Sequence, residues 1–244
     1  TVFEKTSLRA RDGSIGAVKS EILADALMHG ALPRLESLAL SFNQIGDAGL
    51  TGLCRAIASG SLKNLSQLDL SYTRIGDAGV SALAGEMAGG SLGKLESLDL
   101  SINEIGDAGV SAFRTIASRS PLKKLDLGYN KLGDAGMTAI ASGSLGDLQI
   151  LSINSNNVGD EGLKALASAI ASGSLGAFRE LHLSYNRIGD PGISALAGAT
   201  ASGSMANLQI LYLYHNQIGD AGASAVAKAI ASGSLPSLHT LYVD

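Results

Sequence analysis

The sequence predicts an α/β solenoid: one curved array with a parallel β-sheet on its concave face and α-helices on its convex face. Three observations predict it. First, one motif recurs in register: LESLALSFNQIGDAG at Leu35, LSQLDLSYTRIGDAG at Leu65, LESLDLSINEIGDAG at Leu95, LKKLDLGYNKLGDAG at Leu122, LQILSINSNNVGDEG at Leu148, FRELHLSYNRIGDPG at Phe178 and LQILYLYHNQIGDAG at Leu208. Self-similarity at a fixed period of this length is the signature of stacked supersecondary units. Second, each copy switches from leucines two apart to apolar residues at helical spacing. Third, the chain is poor in aromatics (4%) and charges (16%) but carries 31 glycines. Such a composition builds a thin Leu, Ile and Ala core many times over more readily than one thick core.

Each element follows from its residues. In the copy that starts at Leu95, Leu98 and Leu100 point to one face of a short strand, and Asp99 and Ser101 to the other. Stacked copies then make a parallel sheet whose strands find their hydrogen-bond partners in their neighbours. A helix follows IGD, with Val110, Phe113 and Ile116 inward, as Leu50, Leu53 and Ile57 are in an earlier copy. The aspartate of each junction (Asp47, Asp77, Asp107, Asp134, Asp160, Asp190 and Asp220) is read as the N-cap of its own helix. Helices pack about 8–10 Å apart and strands only about 4.8 Å, so the array must bend with its strands inside.

The copies start 30 residues apart, except for steps of 27 (Leu95 to Leu122) and 26 (Leu122 to Leu148). Both deletions fall in the helical half and remove about one turn at 3.6 residues per turn, so the inward stripe survives. Stepping back from Leu38, Leu53 and Ile57 reaches Leu8, Leu23 and Leu27, while Asn43 becomes Gly13. The chain is thus read as a single array: 1–34 a degenerate first repeat, 35–237 seven repeats, and 238–244 the strand of a truncated last one. Because solenoids need polar caps at both ends, a longer parent chain is expected.

The LxxLxLxxN core, followed by the Asn-x-Ile-Gly-Asp-Ala-Gly junction and a helix, resembles the leucine-rich repeat superfamily. The repeat length and that junction look most like its ribonuclease-inhibitor-like class, which also forms the sensor ends of intracellular immune receptors. The resemblance spans nearly the whole chain and implies the horseshoe fold. For the column Asn43, Asn103, Asn130, Asn156, Asn186 and Asn216, with Thr73 once in its place, it implies a ladder of side-chain to backbone hydrogen bonds.

Composition also excludes function classes. A formal net charge of -4 with 18 scattered Lys and Arg argues against nucleic acid as the ligand. The lone Cys54 permits no internal disulfide and no thiol pair for a metal, which fits a reducing, intracellular and cytoplasmic setting, a plastid being the alternative. Gly192 to Gly219 lacks Asp, Glu, Lys and Arg, yet its apolar spacing changes midway, so it reads as helix, turn and strand; no membrane insertion is expected. No signal peptide, nucleophile–base pair, metal site or cofactor motif is readable. The repeated GDAG is a tight turn and cap before it is a phosphate or calcium loop.

The outward strand positions carry the functional signal. One column reads Ala39, Asp69, Asp99, Asp126, Ser152, His182, Tyr212 and Tyr242; two residues on it reads Ser41, Ser71, Ser101, Gly128, Asn154, Ser184, Tyr214 and Asp244. The next reads Phe42, Tyr72, Ile102, Tyr129, Ser155, Tyr185 and His215, and all six tyrosines of the chain lie in these columns. Two patches follow. Asp69, Asp99 and Asp126 form an acidic one, whose carboxylates should repel and titrate high, relieved in part by Lys123 and Lys124. His182, Tyr185, Ile210, Tyr212, Tyr214, His215 and Tyr242 form an aromatic one, the expected partner-binding site. The smooth helix exterior of SALAGEMAGGSL and SALAGATASGSM suggests a covered convex face. The expected function is a non-enzymatic scaffold or recognition module with a protein partner on the concave face. The alternatives are a structural subunit of a larger assembly, held by its helical face or ends, and the regulatory end of a larger sensor protein.

Overall fold

The computed structural model describes residues 6–10, 13, 15–116, 120–143 and 145–243. Among them, nine strands form one parallel sheet in sequence order: β1 (Ser7–Arg9), β2 (Ser37–Ala39), β3 (Gln67–Asp69), β4 (Ser97–Asp99), β5 (Lys124–Asp126), β6 (Ile150–Ser152), β7 (Glu180–His182), β8 (Ile210–Tyr212) and β9 (Thr240–Tyr242). The register aligns one leucine per strand, from Leu8 through Leu98 to Leu241. Backbone bonds continue beyond the strand ends, as where the Leu100 N–H donates to the Asp126 carbonyl at 2.8 Å.

Each strand but the last is followed by a helix: α1 (Ala17–Met28), α2 (Gly46–Ala58), α3 (Asp77–Ala88), α4 (Asp107–Ser111), α5 (Asp134–Ser142), α6 (Asp160–Ala171), α7 (Asp190–Ala199) and α8 (Asp220–Ala231). The core lies between sheet and helices. It is built from the strand leucines and the inward helical stripe, with Leu98, Leu100, Val110 and Phe113 all fully buried. The two deletions behave as read. α5 has 9 residues where α6 has 12, and α4 gives way to a 3-10 turn at Ala112–Thr115, yet Phe113, Ile116, Met137 and Ile140 remain inward. The degraded strand of the first module still pairs in register with β2.

The asparagine ladder bridges modules. The Asn103 Nδ2 donates to the Leu100 and Ser101 carbonyls of its own turn and to the Leu70 carbonyl of the preceding module, while its Oδ1 accepts the Ile75 N–H at 3.0 Å. Asn43, Asn130, Asn156, Asn186 and Asn216 repeat this pattern. Thr73 is too short to reach back; its hydroxyl donates to its own Leu70 carbonyl at 2.6 Å.

The junction aspartates require a correction. None caps its own helix. Asp77, Asp107, Asp134, Asp160, Asp190 and Asp220 are the first helical residues and Asp47 the second, and in six of these seven helices a glycine holds the cap position. Six of the seven carboxylates, all but that of Asp220, reach instead to the following module. Asp107 Oδ1 accepts the Gly133 N–H at 2.7 Å and the Gly136 N–H at 2.9 Å, capping α5 from outside. Asp134, Asp160 and Asp190 each take the same glycine pair, and Asp47 and Asp77 take the first glycine of it. A carboxylate at the start of one helix thus also neutralises the positive end of the next. The sequence contains its own control. The position one repeat before Asp47 is Ala17, and there Gly46 turns to φ +61° and donates to the Thr73 carbonyl instead.

Candidate functional site

The register fixes the concave face. His182, Tyr212 and Tyr242 pair directly across β7, β8 and β9, one ring per strand. The His182–Tyr212 centroids lie 4.8 Å apart and those of Tyr212–Tyr242 5.2 Å. Tyr185 and His215 stack at 4.4 Å, and Tyr214 lies edge-on to Tyr185 at 5.3 Å. Six of the seven residues expected to bind the partner therefore form one contiguous ring cluster. Ile210 sits two residues before Tyr212 on the same face of β8, half-buried, with Glu180 and Thr240 as its cross-strand neighbours. The His182 Nε2 lies 3.1 Å from Glu180 Oε2, a contact the columns did not suggest. Beneath the cluster, the fully buried Ser184 hydroxyl has no hydrogen-bond partner among the described residues. The cause is local: Ser71 and Ser101 donate to Asp69 and Asp99 at 2.7 Å, and β7 carries His182 at that position.

The third outward column is not part of the strands. Phe42, Tyr72, Ile102, Tyr129, Ser155, Tyr185 and His215 all adopt φ between +54° and +60°, just past the strand ends. Left-handed backbone costs an L-residue roughly 1–2 kcal/mol, and a β-branched residue such as Ile102 is a poor choice there. These side chains line the rim of the sheet. Phe42, Tyr72, Ile102 and Tyr129 are each more than 40% exposed, and the Phe42 and Tyr72 rings lie 5.1 Å apart. This rim, with a cavity of about 390 Å³ beside Phe42, Tyr72 and Ile102, was missing from the expected site. Its signal was present in the sequence as apolar residues where the array buries nothing.

The acidic row is in register: Asp69 opposite Asp99, and Asp99 opposite Asp126. Burial, more than its carboxylate neighbours Asp126 and Asp69, pushes the Asp99 carboxyl up, against the opposing pull of its bonds from Ser101. Lys124 lines the same groove with Arg9, Asp69 and Asp99. Lys123 does not relieve the row, a second correction: its ammonium points away and pairs with Glu96 at 2.7 Å, because residue 123 precedes the strand and faces off the sheet. A folded pKa above the unfolded value means that the native state holds the proton longer. Stability should therefore fall as pH rises from the ordinary aspartate value of 3.8 through the folded value. Asp99→Asn should flatten that part of a urea-denaturation profile against pH, and a profile identical to that of the parent chain would contradict the assignment.

Asp244 lies outside the described residues. Cys54 is buried between helices, where burial and the Glu86 charge push its thiol up to about 12, so it stays a protonated apolar group. Among the described residues no cluster of three or more His, Cys, Asp or Glu is arranged to hold a metal, and no helix is long and apolar enough to cross a membrane.

The repeats, the asparagine ladder and the open parallel sheet agree with the sequence comparison, in which the family described as Leucine Rich repeat matches residues 32–54, 61–84, 94–113, 120–141, 147–167, 178–197 and 204–227. The chain belongs to the leucine-rich repeat family. Similar solved structures include an internalin from Listeria monocytogenes, at 25% identity and a TM-score of 0.58, covering 87% of this chain and 49% of that one. This leucine-rich repeat chain thus spans about half the length of that internalin. A TDR receptor (20% identity, TM-score 0.52, 89% of this chain and 36% of that one) and a plant ice-binding protein (18%, 0.50, 97% and 70%) share the fold alone. No curated protein matches the sequence significantly. Leucine-rich repeat proteins are generally non-catalytic interaction modules.

Proposed function

We propose that this leucine-rich repeat array is a non-enzymatic protein-interaction module that holds its partner on the concave face, at the ring cluster of β7 to β9. The observation that carries this reading is the contiguity of His182, Tyr185, Tyr212, Tyr214, His215 and Tyr242 on one partly exposed surface. Tyrosine buries a large flat area at small entropic cost, and such residues dominate binding energies at interfaces. The helix after each of the first eight strands supports placement in the ribonuclease-inhibitor-like class. The single buried thiol suits an intracellular, cytoplasmic setting, and the scattered cations favour a protein over a nucleic acid.

A second reading, a structural subunit held by its helices, is favoured by the shallow groove of small side chains between α7 and α8, lined by Ser194, Ala197, Gly198 and Ala201. Capture from lysate separates the two. The Tyr212→Ala/Tyr214→Ala chain should lose about tenfold or more of the recovered partner with its thermal melt intact. Unchanged recovery from a folded double variant would defeat the concave-face assignment.

A further inference from the structure

The spacing of the rings constrains the shape of the occupant, an inference that rests on the concave-face reading above. Along β7, β8 and β9 the inner row of rings repeats at 4.8 and 5.2 Å, and at the rim Tyr185 and His215 stack at 4.4 Å. Tyr214 ties the rows together, 5.3 Å from Tyr185 and 6.4 Å from Tyr242. The result is a shelf of rings running along the solenoid axis, three in the inner row and two at the rim. A ligand that reads such a shelf must present apolar groups at the same period or a multiple of it. An extended β-strand laid along the axis shows side chains on one face about every 6.6 Å, and falls out of step within two rings. A polyproline II helix repeats every three residues, about 9.3 Å, close to two sheet spacings of about 9.6 Å. Its backbone makes no internal hydrogen bonds, its stiffness lowers the entropy lost on binding, and its prolyl rings pack on aromatic faces.

We propose that the shelf formed by His182, Tyr185, Tyr212, Tyr214, His215 and Tyr242 takes a proline-rich segment of a protein partner, in polyproline II form and running along the solenoid axis. Fluorescence anisotropy of labelled decaproline against the full chain tests this, with a ten-residue Gly-Ser peptide and a ten-residue Thr-Val peptide as comparisons. Decaproline should bind about tenfold more tightly than either, and Tyr212→Ala and Tyr242→Ala should each weaken it about fivefold or more. Ile22→Ser, an exposed position on α1, should leave it unchanged. Binding no tighter than that of the Gly-Ser peptide, or binding that survives both tyrosine truncations, overturns the proposal. If decaproline fails while Tyr212→Ala/Tyr214→Ala still abolishes partner capture, the face binds a ligand of another shape. If the capture also persists, the concave-face reading falls with it.

Discussion

Leu98→Ala should lower the free energy of unfolding by about 2–5 kcal/mol. Leu98 is fully buried, in line with Leu68 and Leu125 on the neighbouring strands. Removing its isobutyl group opens a cavity that cannot close easily. The strands on either side are pinned by the ladder of backbone bonds, and the asparagines at the turns are tied to two modules each. In a solenoid each module is held only by its neighbours, so a weakened central module breaks the array at its middle. Leu241→Ala, on the half-buried last strand, should cost less than half as much. Urea denaturation of the two variants checks the contrast, and equal losses would show that the two leucines are buried alike.

The second large effect concerns glycines of opposite sign. A Cβ at Gly162 would lie 2.8 Å from Asp134 Oδ1 and 3.0 Å from the Asp134 Cα and the Met137 Cβ. The Asp134 backbone cannot give way, and its carboxylate is held there by the amides of Gly159 and Gly162. Gly162→Ala should therefore cost about 3 kcal/mol, from overpacking together with a lost inter-module cap. Gly198 also lies in a helix, but a Cβ there meets nothing within 4 Å. Gly198→Ala should stabilise by about 0.5–1 kcal/mol through helix propensity alone. Thermal melts of the two variants should move in opposite directions. A Gly162→Ala melt at or above that of the parent chain would mean that the Asp–Gly contact between modules is not a constraint.

These two effects mark where sequence reasoning reaches and where it stops. The leucine line was legible because a period of two and a repeat of thirty residues place Leu68, Leu98 and Leu125 side by side without further information. The shortened modules were legible because a lost helical turn preserves the stripe. The aspartates were legible as helix-start residues but not in their targets. A local pattern of Gly-Asp-x-Gly looks the same whether a carboxylate caps its own helix or its neighbour's, and only the packing of adjacent helices decides. The rim had the same difficulty. Alternation along a strand gives each residue a face, so Tyr185 and Ile102 read as strand positions, whereas the chain turns left-handed there and swings them to the edge. Tyr185 and His215 nonetheless lie next to Tyr214 after the turn, so the rings stay contiguous.

The claim that the ring-bearing concave face meets the partner is tested most directly by site-specific photo-cross-linking. A photoreactive phenylalanine analogue would replace Tyr212 in one chain and Ser194, on the exposed side of α7, in another. A discrete partner adduct is expected from position 212 and none from position 194. Adducts from position 194 with none from position 212 would contradict the claim and place the partner on the helices.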